Sequence, residues 1–347
     1  MIVPVNPDIL RICDANCNRA REAFRVLEDY VRFSLNNADL SESLKTLRHD
    51  FQTATQTLQR NAVAHRDTAH DVGTGITTES EQKRESLGAV VTAASKRLGE
   101  ALRTIEEYTK TAGGASAQVQ SIRYRYYDVE KRLLLTLTPG RDKMRGVRLC
   151  VLVTEALCKH PWLDVARLAI EGGADCLQLR EKHFDGAELL KRAHQFAALC
   201  RQHNVISIIN DRVDIAVLSH ADGVHVGQTD IPAIEVRKLI GPDRILGVST
   251  HRIEQARQAV LDGADYIGVG PIFNSTTKPK DALSGLDYAR QIPREIAISA
   301  IAISGINSEN LSQLLETGLE SIAVSASVIS SGDPKLATKE LKARLVG

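Results

Sequence analysis

"AIEGGADCLQL" (Ala169–Leu179) and "AVLDGADYIGV" (Ala259–Val269) are near repeats within one chain. Each begins in a helical pattern and reaches a glycine, the residue that most readily takes the left-handed turn ending a helix. An Ala-Asp pair then leads into a short apolar run that reads as a strand. A chain that twice turns from helix to strand in this way alternates the two elements, as parallel sheets require.

Working outward, the same rhythm fills the C-terminal part of the sequence. Strand-like runs fall at approximately 148–153, 175–180, 205–209, 222–226, 245–249, 265–269, 297–303 and 320–324, each followed by a helical pattern such as "GAELLKRAHQFAALCRQ" or "IEQARQAVLDG". Eight strands with intervening helices predict an α/β fold of the (β/α)8 TIM barrel type, with a doubly wound sheet as the alternative. Composition agrees: 43% apolar residues with only 4% aromatics give a core of Ala, Val, Ile and Leu, the usual material of parallel sheets.

The N-terminal region has a different grammar. Residues 8 to about 136 show apolar residues at helical spacing among dense charges. The region also repeats itself: "RAREAFRVLEDY" (Arg19–Tyr30) aligns with "RLGEALRTIEEY" (Arg97–Tyr108), matching at polar as well as apolar positions. Between the copies lies "HRDTAHDVGTGITTES", where Arg66, Asp67, Asp71, Gly73 and Gly75 suit a loop able to wrap a ligand. "LTPGRDKMRG" (Leu137–Gly146), with its proline, glycines and charges, marks the boundary. The expectation is an all-α helical domain with an internal duplication over residues 1–136, then a barrel over residues 137–347.

Bulk charge excludes several partners. Lysine plus arginine (44) nearly cancels aspartate plus glutamate (43), so no overall field draws in nucleic acid or an anionic membrane. The six cysteines form no C-x-x-C pair or zinc-like cluster. "MIVPVNPDIL" lacks the features of a signal peptide, and no run approaches a membrane span. A cytoplasmic protein is expected.

In a barrel, chemistry gathers where strands end at their C-termini, and polar residues collect there. Strand two ends in "QLREK", and alternation sets Gln178 and Arg180 opposite Leu177 and Leu179, with Lys182 following. Strand three ends in Asn210-Asp211, strand four leads to Asp230, and strand five ends at Ser249. After strand six comes "GVGPIFNSTTKPK", with Ser275, Thr276, Thr277 and Lys278; strands seven and eight end in "SG" and "VS". Singly, each has a plain structural reading: Asp211-Arg212 or Asp230 as a helix N-cap, Gly305 as a tight turn, Ser325 as a cap, His225 and His251 as hydrogen-bonding residues. Together they read as a site. Arg180, Lys182 and Lys278 suit a polyanion, and Asp211 and Asp230 would repel it unless Mg²⁺ bridged them. The loops after strands seven and eight suit a second, single phosphate. No nucleophile with a base beside it is evident.

At these residues the chain resembles a known family, thiamine-phosphate synthase. "LCVLVTE", "QLREK", "ND", "DGVHVGQTD", "GVSTH", "GVGPIFNSTTK", "SGI" and "VS" carry the resemblance across the barrel. It implies two small phosphorylated substrates, hydroxymethylpyrimidine diphosphate and thiazole phosphate, joined as thiamine phosphate with release of diphosphate. It assigns Gln178, Leu179, Arg180, Glu181, Lys182 and Asn210 to the pyrimidine diphosphate, with Ser249 and Lys278. Asp211 and Asp230 would hold one Mg²⁺. Ser275, Thr276, Thr277, Gly305, Val324 and Ser325 would meet the thiazole phosphate. Arg180, Lys182 and Lys278 are the expected catalytic cations. Three positions depart from the family pattern: Glu155 for aspartate, Asn274 for proline, and Ser304 for the first glycine of "GGI".

"DANCNRAREAFRVLEDYVRF", "LRHD" and "RDTAHDVGTG" resemble a helical domain found ahead of such synthases and associated with hydroxymethylpyrimidine-phosphate kinase activity. A dimerisation or scaffolding module in a homo-oligomer is the alternative for this region. For the barrel, the alternatives are a thiazole tautomerase and a non-catalytic phosphate-ligand sensor.

Overall fold

The structure is a computed structural model, and it describes residues 6–68, 70–72, 83–112, 115–274 and 283–346. The chain divides into two compact units, Met1–Leu134 and Leu135–Gly347.

The first unit is built from α1 (Pro7–Phe33), α2 (Ala38–Ala62), α3 (Leu87–Ala112) and α4 (Ser116–Leu134). Asn6 and Asn37 cap α1 and α2, each accepting a backbone N–H from the first turn. Leu27, Phe51, Leu98, Leu102 and Ile105 are buried between the helices, and the Phe24 ring lies 6.0 Å from Phe51 and 6.4 Å from Tyr126.

The sequence repeat corresponds to two helix hairpins, each with the same internal clamp. Glu28 of α1 grips Arg48 of α2; Glu106 of α3, at the matching position of the repeat, binds Arg123 of α4 at 2.7 Å. Both glutamates are buried, and Glu106 has no exposed surface. A buried carboxylate is tolerated only when paired and hydrogen-bonded. The Glu28–Glu106 match in the repeat is therefore a packing feature.

The second unit is a closed barrel of eight parallel strands in chain order: β1 (Leu149–Val153), β2 (Cys176–Leu179), β3 (Ile206–Asn210), β4 (Gly223–Val226), β5 (Ile245–Thr250), β6 (Tyr266–Val269), β7 (Ser299–Ile303) and β8 (Ile322–Val324). Each lies within two residues of the range read from sequence. Alternation along the strands makes two cores. Val151, Leu177, Leu179, Ile209, Val224 and Ile267 face the surrounding helices, while Cys150, Leu152, Cys176, Ile208, Ile245, Tyr266 and Ile301 fill the interior.

The near-repeated junctions have a physical cause. Gly173 and Gly263 end their helices at φ of 100° and 88°. The aspartate that follows accepts backbone N–H groups at the base of the preceding strand: Asp175 from Arg148 and Leu149, Asp265 from Leu246. Asp222 does the same for Ser207. The Ala-Asp pair thus pins each of these strands to its neighbour.

The boundary stretch differs from a linker. Pro139–Met144 is a short helix started by its proline; Gly140, Arg141 and Met144 are buried, and Thr138 donates to Asp265. Met144 and Val147 enter the interior core at the N-terminal end of the strands. Proline and glycine serve here to begin a helix and to let it approach Asp265 closely.

Candidate active site

A cavity of about 670 Å³ opens at the C-terminal ends of the strands, lined by side chains from all eight strand ends or the loops that follow them. Its floor is a buried polar chain. His225 places Nε2 2.9 Å from Ser249 Oγ and Nδ1 3.0 Å from the Tyr266 hydroxyl. Register creates this grouping, because Gly247 lies between them, paired with His225 on one side and Tyr266 on the other. A Cβ at Gly247 would stand 2.2 Å from the Tyr266 ring and 2.5 Å from His225 Nδ1. Glycine there lets the two rings meet, with centroids 5.4 Å apart. Burial pushes His225 down to about 4, so the imidazole is neutral at ordinary pH. Gln178 reaches the same group from β2, and its side chain touches the Tyr266 hydroxyl.

Above this floor stands a charged rim. Asp211 follows β3 at φ 61°, an uncommon conformation for a residue with a side chain, and its N–H donates to His225 O at 2.8 Å. Lys182 Nζ lies 3.1 Å from Asp211 Oδ2. Burial raises the Asp211 carboxyl above its usual range, and the adjacent Asp230 raises it further, while Lys182 opposes them. Asp230 also accepts the Gly227 N–H at 2.7 Å, which fixes the turn after β4. Neither aspartate is a helix N-cap: Arg212 and Pro232 hold those positions.

Two neighbouring carboxylates suit a hard divalent cation whose remaining ligands are phosphate oxygens and water. Among the described residues, no group of three or more His, Cys, Asp and Glu could hold a metal ion on protein ligands alone.

The structure gathers Gln178, Arg180, Lys182, Asn210, Asp211, Asp230, Ser249, Gly305, Val324 and Ser325 around the one cavity. It does not bring the side chains of Leu179 and Glu181 there. Leu179 packs in the outer core, and Glu181 turns aside to accept the Glu155 N–H. Ser275, Thr276, Thr277 and Lys278 lie outside the described residues. Ser325 Oγ donates to Leu152 O at 3.2 Å instead of capping the helix that follows.

Gly305 has φ 68°, and a Cβ there would approach Asn274 O to 2.2 Å. Ser304, the departure from the family pattern, sits at φ 88° with Oγ donating to Phe273 O at 3.1 Å. That bond helps to offset the cost of placing a serine in a glycine conformation. His251, the other histidine read as structural, bonds Gly270 O.

Sequence reasoning missed Tyr266, Gly247 and Gln228, whose Nε2 donates to Ser249 O at 2.7 Å. Tyr266 carried one usable signal: it alternates with Gly268 in β6 and so shares the interior face.

The comparisons with known proteins cover both units. The family described as Thiamine monophosphate synthase matches residues 149–328, and the ThiD2 family matches residues 11–132. The thiamine-phosphate synthase of Rhodopirellula baltica is 41% identical over 331 residues, covering 92% of this chain and 88% of that protein. That of Thermosynechococcus vestitus is 38% identical over 336 residues, covering 96% and 94%. Among solved structures, thiamine phosphate pyrophosphorylase from Pyrococcus furiosus is 33% identical with a TM-score of 0.53, covering 60% of this chain and 99% of that one. Likeness along nearly the whole length, on a barrel with polar strand ends, leads to one conclusion: the chain belongs to the thiamine-phosphate synthase family.

Proposed function

We propose that the cavity above His225 is where this synthase joins hydroxymethylpyrimidine diphosphate to thiazole phosphate and releases diphosphate. One observation carries the placement: Asp211 and Asp230 stand side by side, with Lys182 on Asp211, over a neutral floor. That arrangement suits a leaving group with several negative charges and a reacting carbon that becomes positive.

Asp211 and Asp230 would hold Mg²⁺, which when bound neutralises diphosphate charge as a Lewis acid. Arg180 and Lys182 face the same place, and Lys278 belongs with them by sequence. Fixed cations that meet charge developing in the transition state lower the barrier directly. Gln178, Asn210 and Ser249 would seat the pyrimidine. His225 directs the Ser249 hydroxyl, and its neutral ring spares the developing cation a positive neighbour. Gly305, Val324 and Ser325, with Ser275, Thr276 and Thr277, would receive the thiazole phosphate. The thiazole nitrogen attacks with its lone pair and becomes quaternary, leaving no proton to remove, so the lack of an evident base is expected. Diphosphate release in Asp211→Ala and Asp230→Ala is the test; near-wild-type rates in both would overturn the assignment.

For the helical unit, the ThiD2 likeness supports phosphorylation of hydroxymethylpyrimidine phosphate, which would supply the barrel's diphosphate substrate. Incubating the chain with that compound and ATP tests it. Formation of the diphosphate supports the reading; its absence leaves a scaffolding role.

A further inference from the structure

The duplication distinguishes residues that hold the helical unit together from residues it does not need. Both copies keep the Glu-Arg clamp, Glu28 with Arg48 and Glu106 with Arg123. Toward the start of α1 the copies part. Arg11, Asp14, Asn16 and Asn18 stand where α3 has Ala89, Thr92, Ala94 and Lys96. Asp14 and Asn16 are buried, and burying polar groups is costly without a purpose or a partner. The alanine and threonine of α3 show that a bundle helix can do without them.

The partner of Asp14 comes from the segment after α2. Arg66 donates from Nε to Oδ2 at 2.7 Å and from Nη2 to Oδ1 at 2.8 Å, a bidentate fork that fixes the guanidinium plane. Arg66, Asp67 and Asp71 thereby border an open cleft of about 610 Å³ whose other wall carries Asp8, Arg11, Asp14 and Arg19. The start of α1 and four described residues of the stretch after α2, Arg66, Asp67, Thr68 and Asp71, meet at this cleft. Arg11 and Arg19 are exposed and form no ion pair among the described residues. Arg66 keeps about half of its side chain exposed despite its bond to Asp14.

We propose that this cleft binds a small phosphate ester, with Arg66 oriented by Asp14 and joined by Arg11 and Arg19 around the anion. Arginine forks match phosphate oxygens in shape and charge. The proposal deepens the kinase reading, on which its biological meaning rests. Such a kinase meets two phosphate esters, the pyrimidine monophosphate and the nucleotide, and the cleft's chemistry is common to both.

Calorimetric titration of the full chain with hydroxymethylpyrimidine phosphate, and separately with a non-hydrolysable ATP analogue, distinguishes the sources. Arg11→Ala and Arg66→Ala should each raise the Kd for one of these ligands roughly tenfold or more, as expected for loss of a charge-assisted hydrogen bond. Arg97→Ala, the α3 counterpart of Arg19, should leave both within about twofold, the range of a surface change remote from a contact. Far-ultraviolet circular dichroism should be unchanged in all three variants, which shows that the helical unit is folded, and an unchanged synthase kcat/KM shows the same for the barrel. Unchanged Kd values in Arg11→Ala and Arg66→Ala overturn the site, as does equal weakening by Arg97→Ala. Arginine-dependent binding without kinase turnover keeps the site and removes the kinase reading. Turnover indifferent to Arg11 and Arg66 does the reverse.

Discussion

The helical unit and the mouth of the barrel treat buried charge in opposite ways. In the helical unit each clamp joins an acid to a base: Glu28 meets Arg48, and Glu106 meets Arg123 together with Arg103. The base of the barrel follows the same rule, with Asp265 satisfied by Arg237, Thr138 and the Leu246 N–H. At the barrel mouth the rule is broken. Asp211 is half-buried against another carboxylate, and Lys182 only partly offsets the repulsion. Compensated charge belongs to the scaffold, whereas charge left with a like neighbour marks where a ligand completes the structure.

The contrast breaks first at the clamps if it is wrong. Glu106→Ala would strand Arg123, and the helical unit should lose about 3–5 kcal/mol, the usual cost of removing one partner from a buried pair. Urea unfolding should show a comparable loss for Glu28→Ala, since the duplication gives both residues one role. A small loss in either would mean the hairpins are not equivalent. At the mouth, Asp211→Ala or Asp230→Ala should leave the barrel folded but lower turnover roughly a hundredfold to a thousandfold. Chelating Mg²⁺ from the wild type should have a similar effect in steady-state assays.

A smaller effect concerns pH. Burial holds His225 at about 4, below the ordinary histidine value near 6.5. Between those values the unfolded chain binds a proton that the folded protein refuses. Stability should therefore fall as pH drops from about 6.5 to about 4, by up to about 3 kcal/mol from this residue. His225→Gln should flatten that part of a stability–pH curve. The smallest prediction sharpens the comparison by its sign: without metal, Asp211→Asn should stabilise the barrel, by about 1 kcal/mol, while impairing catalysis. A loss of thermal stability in Asp211→Asn would show that the carboxylate serves the fold.

The eight strands were legible because glycine stops, apolar runs and period-two alternation are local signals. The rim of the site was legible for the same reason, as Gln178, Arg180, Asp211 and Ser249 lie at or just beyond strand ends. What escaped depended on register or on distant chain. The Gly247 gap between His225 and Tyr266 exists only after three strands pair, and Arg66 finds Asp14 fifty-two positions away. "LTPGRDKMRG" carries every local sign of a linker; the burial of Met144, which the neighbouring composition hides, makes it part of the barrel.

That short helix has a consequence for traffic. Met144 and Val147 fill the barrel interior opposite the cavity, so the well is closed at its base and serves as entrance and exit through one mouth. On the roles proposed above, the pyrimidine occupies the depth beside Gln178 and His225, and the thiazole phosphate lies nearer the rim at Gly305 and Ser325. The deeper guest must then arrive first, because its successor blocks the way. Catalysis becomes a queue, and product-inhibition patterns should show a compulsory order with the pyrimidine diphosphate leading.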